Sequence, residues 1–412
     1  MRKMDVSKLK DIIRKLGFLK NYSSLLVPVV IAVVGVLLFI PTKLMSSKLK
    51  DRMADESVSI GQKVRSLSGS AVVRDQWQVE QEYQQAYRTD ANQIALLVKQ
   101  SSQRELLSYK IFPEPKDIST LIFKEFGQQF RGSINQLIAD VDARDCPTET
   151  ELQRHLQRSS ATRSSRRVSL SIMSAVDAAI TDVLCRERAE SARFYVNPAD
   201  LDGYKFWEQY EYAGMEEAVR DCWYWQLGYW IIEDVINTID AVDSGSSSVF
   251  ASPVKRLISV NFTPGGRTIG KKSADIEKPS YVRTITDGFA ESYTGRLSDK
   301  DVDVVHFNVV VVVSTDAVLS FMKELCGAKE HKFRGFSGNE PEERIFKHNQ
   351  ITILESTIRP IDREDKAHLF YRYGEDAVVE LELICEYIFN KAGYGEIKPE
   401  AVKKEPQGKE SR

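Results

Sequence analysis

The chain has 412 residues, of which 42% are hydrophobic and 28% charged, and its net charge is -2. This composition is typical of globular proteins, and the near-neutral charge excludes a general electrostatic attraction to nucleic acid or to acidic substrates. A specific function must therefore come from local features of the sequence.

The N-terminal region predicts a membrane anchor. Residues 1–22 form a basic tail, and residues 25–40 contain only apolar side chains, Gly and Pro. A stretch of about 20 such residues crosses a bilayer as a helix, so residues 23–42 are predicted to be a transmembrane helix. The apolar positions that mark this span are Leu25, Val30, Val34, Leu38 and Ile40.

The charges around the span predict its orientation. Basic residues are in greater excess before the span than after it. The positive-inside rule therefore predicts an inner-membrane protein with a cytoplasmic N-terminus and its bulk in the periplasm or another extracytoplasmic space. A cleaved signal peptide and a buried soluble helix are the alternatives, although no small-x-small cleavage site follows the apolar run.

Residues 43–112 predict a helical stalk that leaves the membrane. The segment is polar and has few glycines or prolines before Pro113. Its larger side chains recur at helical spacing, which is typical of a coiled-coil face. The candidate partner-contact residues on that face are Tyr83, Tyr87, Ile94 and Val98.

The rest of the chain predicts an α+β fold. Apolar stripes of helical period fill a helical region at residues 113–196. Residues 197–392 contain a helix rich in aromatic residues, two β-branched strands, a second helix and two further strands. This order predicts a ferredoxin-like αββαββ sandwich, with an exposed basic insertion at residues 263–300. Residues 393–412 are predicted to be a disordered tail.

Motifs for chemistry are weak. The segment 265–273 (GGRTIGKKS) approaches a phosphate-binding loop, but Lys272 stands where that loop needs Ser or Thr. No HxxxH or HExxH spacing supports a metal site, and the five scattered cysteines lack zinc-ribbon spacing. These cysteines are expected to be buried free thiols, with one disulfide as the alternative in an oxidising compartment. We find no catalytic set and expect no enzyme activity and no cofactor.

The overall layout resembles the PilO and GspM type of inner-membrane assembly protein of type IV pilus and type II secretion systems. The resemblance is most specific in VVHFNVVVVVSTDAVLSFMKELC and AVVELELICEYIF, within residues 302–389. The chain departs from the family in its greater length, in the helical region near residues 115–195 and in the insertion at 263–300.

The resemblance implies a non-enzymatic scaffold that dimerises and pairs with a paralogous assembly protein. Membrane lipid would contact the span, and neither nucleic acid nor a small-molecule substrate is expected. The main alternative is a single-pass sensor or receptor with an extracytoplasmic ligand-binding domain, which a pocket lined by Trp223, Trp225 and Trp230 would favour. A domain released from its anchor and a membrane-bound enzyme are further alternatives.

Overall fold

The computed structural model describes residues 23–69, 74–117, 119–163, 170–262, 278–285, 287–289, 294–337 and 342–403. The chain divides into two compact units, residues 1–90 and residues 91–412.

The described part of the first unit is helical. It comprises α1 (Ser23–Arg52), a π-helical turn (Met53–Val58), α2 (Ser59–Gly69) and the first half of α3 (Arg74–Ser101). The apolar part of this run is long enough to cross a membrane and is not buried within the protein. A signal sequence near an N-terminus has the same length and composition. The structure therefore establishes an apolar N-terminal helix, while its insertion in a membrane and its orientation stay predictions.

The helix α1 is longer than the predicted span of residues 23–42. It continues through Pro41 to Arg52. A proline removes one backbone donor and bends a helix, but the chain beyond it can remain helical. The helix α3 ends at Ser101, well before the boundary expected at residue 112.

Helices dominate the first part of the second unit. In chain order they are α4 (Leu121–Asp140), α5 (Glu149–Arg163), α6 (Leu170–Ser191), α7 (Tyr204–Glu208) and α8 (Met215–Val242). The sequence predicted one helix after residue 200, and the structure has two. Gly214 separates them at a φ of 142°, which residues with a side chain rarely adopt.

The remaining elements form a mixed sheet and a separate hairpin. The strands are β1 (Tyr195–Val196), β2 (Val254–Asn261), β3 (Val302–Ser314), β4 (Lys329–Phe333), β5 (Arg344–His348), β6 (Ile351–Pro360) and β7 (Val378–Asn390). The sheet order is β1-β2-β3-β7-β6, while β4 pairs with β5 alone. Only β1 and β2 run parallel; the other described pairs are antiparallel.

The core lies between the sheet and α8. Three helices pack against α8, namely α4, α9 (Val318–Leu325) and α11 (Glu400–Lys403). The β-branched strand β3 is central and pairs with β7 along its whole length, from Val302–Asn390 to Ser314–Val378. Burying such side chains contributes about 25 cal/mol per Å² of apolar surface, so this layer stabilises the fold.

Three expectations differ from the structure. The helical region 113–196 and the domain 197–392 share one hydrophobic core, so residue 196 is not a boundary between separate cores. Tyr281 and Val282, which belong to the insertion predicted to be exposed, are buried. The backbone N–H of Val282 donates a hydrogen bond to the carbonyl oxygen of Val304 and holds this segment beside β3. In the tail predicted at residues 393–412, residues 393–403 instead add apolar side chains to the core through the end of α10 (Lys391–Tyr394) and through α11, while residues 404–412 lie outside the described residues.

Candidate functional site

The residues predicted to carry function lie mainly on the helices α1 and α3. Leu25, Val30, Val34, Leu38 and Ile40 all belong to α1. Tyr83, Tyr87, Ile94 and Val98 lie on α3 within one narrow face, and all four are exposed. The structure therefore gathers the partner-contact candidates on one helix surface without covering them.

The other candidates do not form a site. Trp223, Trp225 and Trp230 are fully buried and pack against other aromatic rings rather than around a pocket. The segment 265–273 lies outside the described residues. Among the residues that the structure describes, no three His, Cys, Asp or Glu side chains are grouped to hold a metal ion. The five cysteines are free thiols.

A different site emerges where α3 ends. The hydroxyl of Ser102 accepts hydrogen bonds from the backbone N–H of Asn390 (2.9 Å) and from Nε2 of Gln350 (2.8 Å). Gly393 packs so closely here that an added Cβ would lie 2.6 Å from the carbonyl oxygen of Lys99. The end of α3 is therefore fixed to β7, β6 and α10. We call residues 99–107, with the groups that hold them, the junction.

Arg104 is the centre of the junction. Its Nη1 and Nη2 donate to the two carboxylate oxygens of Asp234 at 2.9 and 2.8 Å, and Nη2 also donates to Glu233 at 2.5 Å. The Tyr387 hydroxyl accepts from Nη1 (2.9 Å) and donates to Asp234 (2.7 Å). Such bidentate pairing uses the planar shape of the guanidinium and fixes its position.

A pair of histidines extends this network to the β4–β5 hairpin. Nε2 of His348 lies 2.9 Å from Asp234, and Nδ1 of His348 lies 2.9 Å from Nδ1 of His331. Nε2 of His331 lies 2.9 Å from the carbonyl oxygen of Gln103. The network thus starts and ends on the segment that follows α3, and it joins α8, β7 and the hairpin to that segment.

Burial and charge set the protonation of this network. Burial alone would raise the pKa of Asp234, but Arg104 and His348 lower it well below its usual range. Burial raises the pKa of Glu233, against the opposing charge of Arg104. Burial, together with the charges of Arg104 and His348, lowers the pKa of His331 to about 3. Asp234 is therefore ionised at neutral pH.

A cleft of about 640 Å³ opens beside Arg104. Its walls come from the junction, α4, α8 and β4, and its lining is mostly polar or charged. The ionisable groups that line it include Glu105, Glu233, Glu330 and Lys332. Both ring nitrogens of His331, which also lines the cleft, are already engaged, so this histidine offers no free base to a ligand.

Sequence reasoning missed the junction. Arg104 and Asp234 are 130 positions apart, and no local pattern connects them. The segments 329–333 (KEHKF) and 344–348 (RIFKH) do alternate His or Phe with charged residues, which is a strand pattern. That alternation was the available signal for β4 and β5 and for the inward direction of His331 and His348.

Comparison with known proteins adds no functional assignment. No family model matches the chain, and no curated protein matches it. A crystal structure of a protein from Akkermansia muciniphila matches with a TM-score of 0.28 and 8% identity, covering 72% of this chain and 84% of that chain. A likeness at this level carries no argument about fold or function.

Proposed function

We propose that this chain is a membrane-anchored, non-enzymatic scaffold of the PilO and GspM type. It dimerises and pairs with a paralogous partner in assembling a type IV pilus or a type II secretion-like machine. In this proposal α1 spans the inner membrane, the N-terminus is cytoplasmic and the remaining chain is periplasmic.

The order of the four long strands is the observation that carries this proposal. In chain order the elements run α8, β2, β3, α9, β6 and β7, while the sheet order is β2-β3-β7-β6. The last strand thus lies beside the second, and α8 and α9 pack together. Such interleaving of two αββ halves supports a ferredoxin-like sandwich whose chain begins at a helix. The hairpin β4–β5 is an addition to that plan.

The exposed face of α3 supports the pairing role. Tyr83, Tyr87, Ile94 and Val98 present a continuous apolar and aromatic stripe, and large exposed stripes of this kind mark interaction surfaces. A second helix that covered the stripe would bury side chains that otherwise face water, as in a coiled coil. The C-terminal end of α3, which belongs to the second unit, is held by the hydrogen bonds of Ser101 and Ser102.

Paired substitutions on opposite faces of α3 test this role. We expect Tyr87→Glu with Ile94→Glu to weaken self-association by at least roughly tenfold, because burying an unpaired carboxylate is unfavourable. The matched control is Gln85→Glu with Asn92→Glu, which adds the same charges at the same spacing on the opposite, also exposed, face. Mass photometry of full-length protein in mild detergent measures the monomer–dimer equilibrium.

Partner identity requires a second readout. The same variants are purified from gently solubilised membranes, and co-purifying proteins are identified by mass spectrometry. Recovery of pilus or secretion components with the control, and their loss with the stripe variant, supports the scaffold. A protein recovered alone in every case, under conditions that preserve other membrane complexes, contradicts it.

A single-pass sensor is the second candidate, and the cleft beside Arg104 is the observation that favours it. A volume of about 640 Å³ is sufficient for a small ligand. The cleft is lined by charged and polar groups rather than by the buried tryptophans that the sequence suggested. A small molecule that stabilises the wild type, but not a variant with Ser133→Trp in the cleft wall, would favour this reading over the scaffold.

A further inference from the structure

The two histidines of the junction contact each other through their Nδ1 atoms. A hydrogen bond between His331 Nδ1 and His348 Nδ1 at 2.9 Å needs one proton between them. The outer nitrogen of His331 faces the carbonyl oxygen of Gln103, which can only accept. The outer nitrogen of His348 faces the ionised carboxylate of Asp234, which also accepts. The hydrogen-bond partners therefore assign three protons to four ring nitrogens, and the pair carries one positive charge.

This assignment balances the charges of Arg104 and its partners. Arg104 and the histidine pair contribute two positive charges, and the buried Asp234 and the partly exposed Glu233 contribute two negative charges. Two further ionisable side chains lie near the network: Tyr387, whose ring lies beside that of His348, and Lys329, whose charge interacts with Asp234. Glu330, Lys332 and Lys347 alternate with the two histidines along β4 and β5 and lie on the exposed face of the hairpin. The charged side chains of the hairpin are engaged elsewhere, for example Glu330 with Lys347 at 2.9 Å and Lys332 with Glu343 at 3.0 Å.

A second proton does not fit the pair. It would place hydrogen atoms on both facing Nδ1 atoms and would add a like charge close to Arg104. Burial and these neighbouring charges lower the pKa of His331 to about 3, whereas a histidine in water titrates near pH 6.5. The separated state thus binds the second proton much more readily than the joined state.

We propose that the His331–His348 pair is an acid-sensitive latch, which releases the β4–β5 hairpin from the end of α3 when a second proton enters. The latch does not depend on the proposed scaffold role. The joined pair holds one extra proton, whereas two separate histidines that titrate near pH 6.5 together hold more than one only below that pH. The joined state is therefore most stable near pH 6.5. It loses stability as the pH falls from 6.5 towards 3, where His331 takes up the second proton.

Glu233 acts in the opposite direction, because its raised pKa favours proton uptake by the folded state. The effect of the latch is therefore isolated by comparing the wild type with a variant that lacks only the titrating group. We choose His331→Gln, since an amide can still donate to the carbonyl oxygen of Gln103 but does not titrate. The matched control is His155→Gln, because His155 is exposed on α5.

Hydrogen–deuterium exchange of the full-length protein in detergent, corrected for the intrinsic effect of pH, provides the test. Between pH 6.5 and pH 5.0 we expect opening of residues 100–107, 329–333 and 344–348 in the wild type to increase by roughly tenfold. The helix α4 should change little over the same range. The His155→Gln profile should match the wild type, and the His331→Gln profile should be nearly flat.

Two results would overturn the latch. One is an equal pH response in His331→Gln and the wild type. The other is a uniform increase in exchange across α4, the hairpin and the junction, which would indicate general acid unfolding. If His331→Gln fails to fold at pH 7.5, as judged by circular dichroism, the comparison of regions within the wild type still decides between local release and general unfolding.

Discussion

The two ends of the region from Tyr83 to Arg104 differ sharply in burial. Tyr87 and Ile94 are 72% and 61% exposed, whereas Ser102 and Arg104 are 1% and 2% exposed. The exposed stretch has apolar side chains that nothing in the described chain covers, and the buried stretch has polar side chains whose partners lie far along the sequence. The comparison separates two kinds of surface: the junction packs within the chain, while the face of α3 stays exposed to solvent in the single chain.

The largest expected effect is at Arg104. Arg104→Ala removes the bidentate counter-charge of the buried Asp234, which keeps only His348, and removes the ion pair of the partly exposed Glu233. Removing one partner of a buried pair typically costs about 3–5 kcal/mol. We expect a loss of unfolding free energy of that size in urea denaturation followed by circular dichroism. Arg88→Ala on the exposed part of α3 is the control and should change stability by less than about 0.5 kcal/mol. Equal losses in both variants would show that the junction is not a source of stability.

A smaller effect is expected at Gly393. An added Cβ would lie 2.6 Å from the Lys99 carbonyl oxygen and 2.8 Å from Cβ of Ser102, so the helix end must shift. We expect Gly393→Ala to destabilise the protein by about 1–3 kcal/mol in the same denaturation experiment.

Gly132→Ala on α4 is the matched control for Gly393. An added Cβ there meets nothing within 4 Å, and alanine is the better helix former, so stability should rise by up to about 1 kcal/mol. If both substitutions change stability in the same direction, the close approach at the junction is not significant.

The smallest effect is expected from Ile94→Ala. This side chain is exposed in the single chain, so the unfolding free energy at low protein concentration should change by less than about 0.5 kcal/mol. At high concentration the variant should unfold earlier than the wild type if the face is covered in a dimer. A large loss at low concentration would mean that Ile94 packs within its own chain.

Regular elements could be predicted from the sequence because their signals are local. The helical period of the apolar residues at 118–141 and 172–184 predicted α4 and α6, and the β-branched run 302–313 predicted β3 within one residue of its observed end. Strands predicted at residues 350–361 and 377–389 correspond to β6 and β7. The short hairpin β4–β5 was missed, since its alternation extends over only five residues in each strand and is interrupted by Ile345 in the second.

The junction could not be predicted from the sequence. Arg104 lies in a polar stretch that gives no reason to expect burial, and its partner Tyr387 is 283 positions away. The composition of the C-terminal segment likewise predicted disorder, although Tyr394 and Val402 are buried against the core. In both cases the long-range partners decide the outcome, and single-sequence patterns do not report such pairings.

The packing of α10 has a consequence for biosynthesis. Asn390 and Gly393, which hold the end of α3, are among the last described residues to leave the ribosome, whereas Ser102 emerges early. The hydroxyl of Ser102 therefore gains its hydrogen bond from Asn390 only after residue 390 has been synthesised. A translation product interrupted before residue 390 would carry a complete α3 whose end lacks the contacts with Asn390 and Gly393, and this exposed end would be a site for proteolysis.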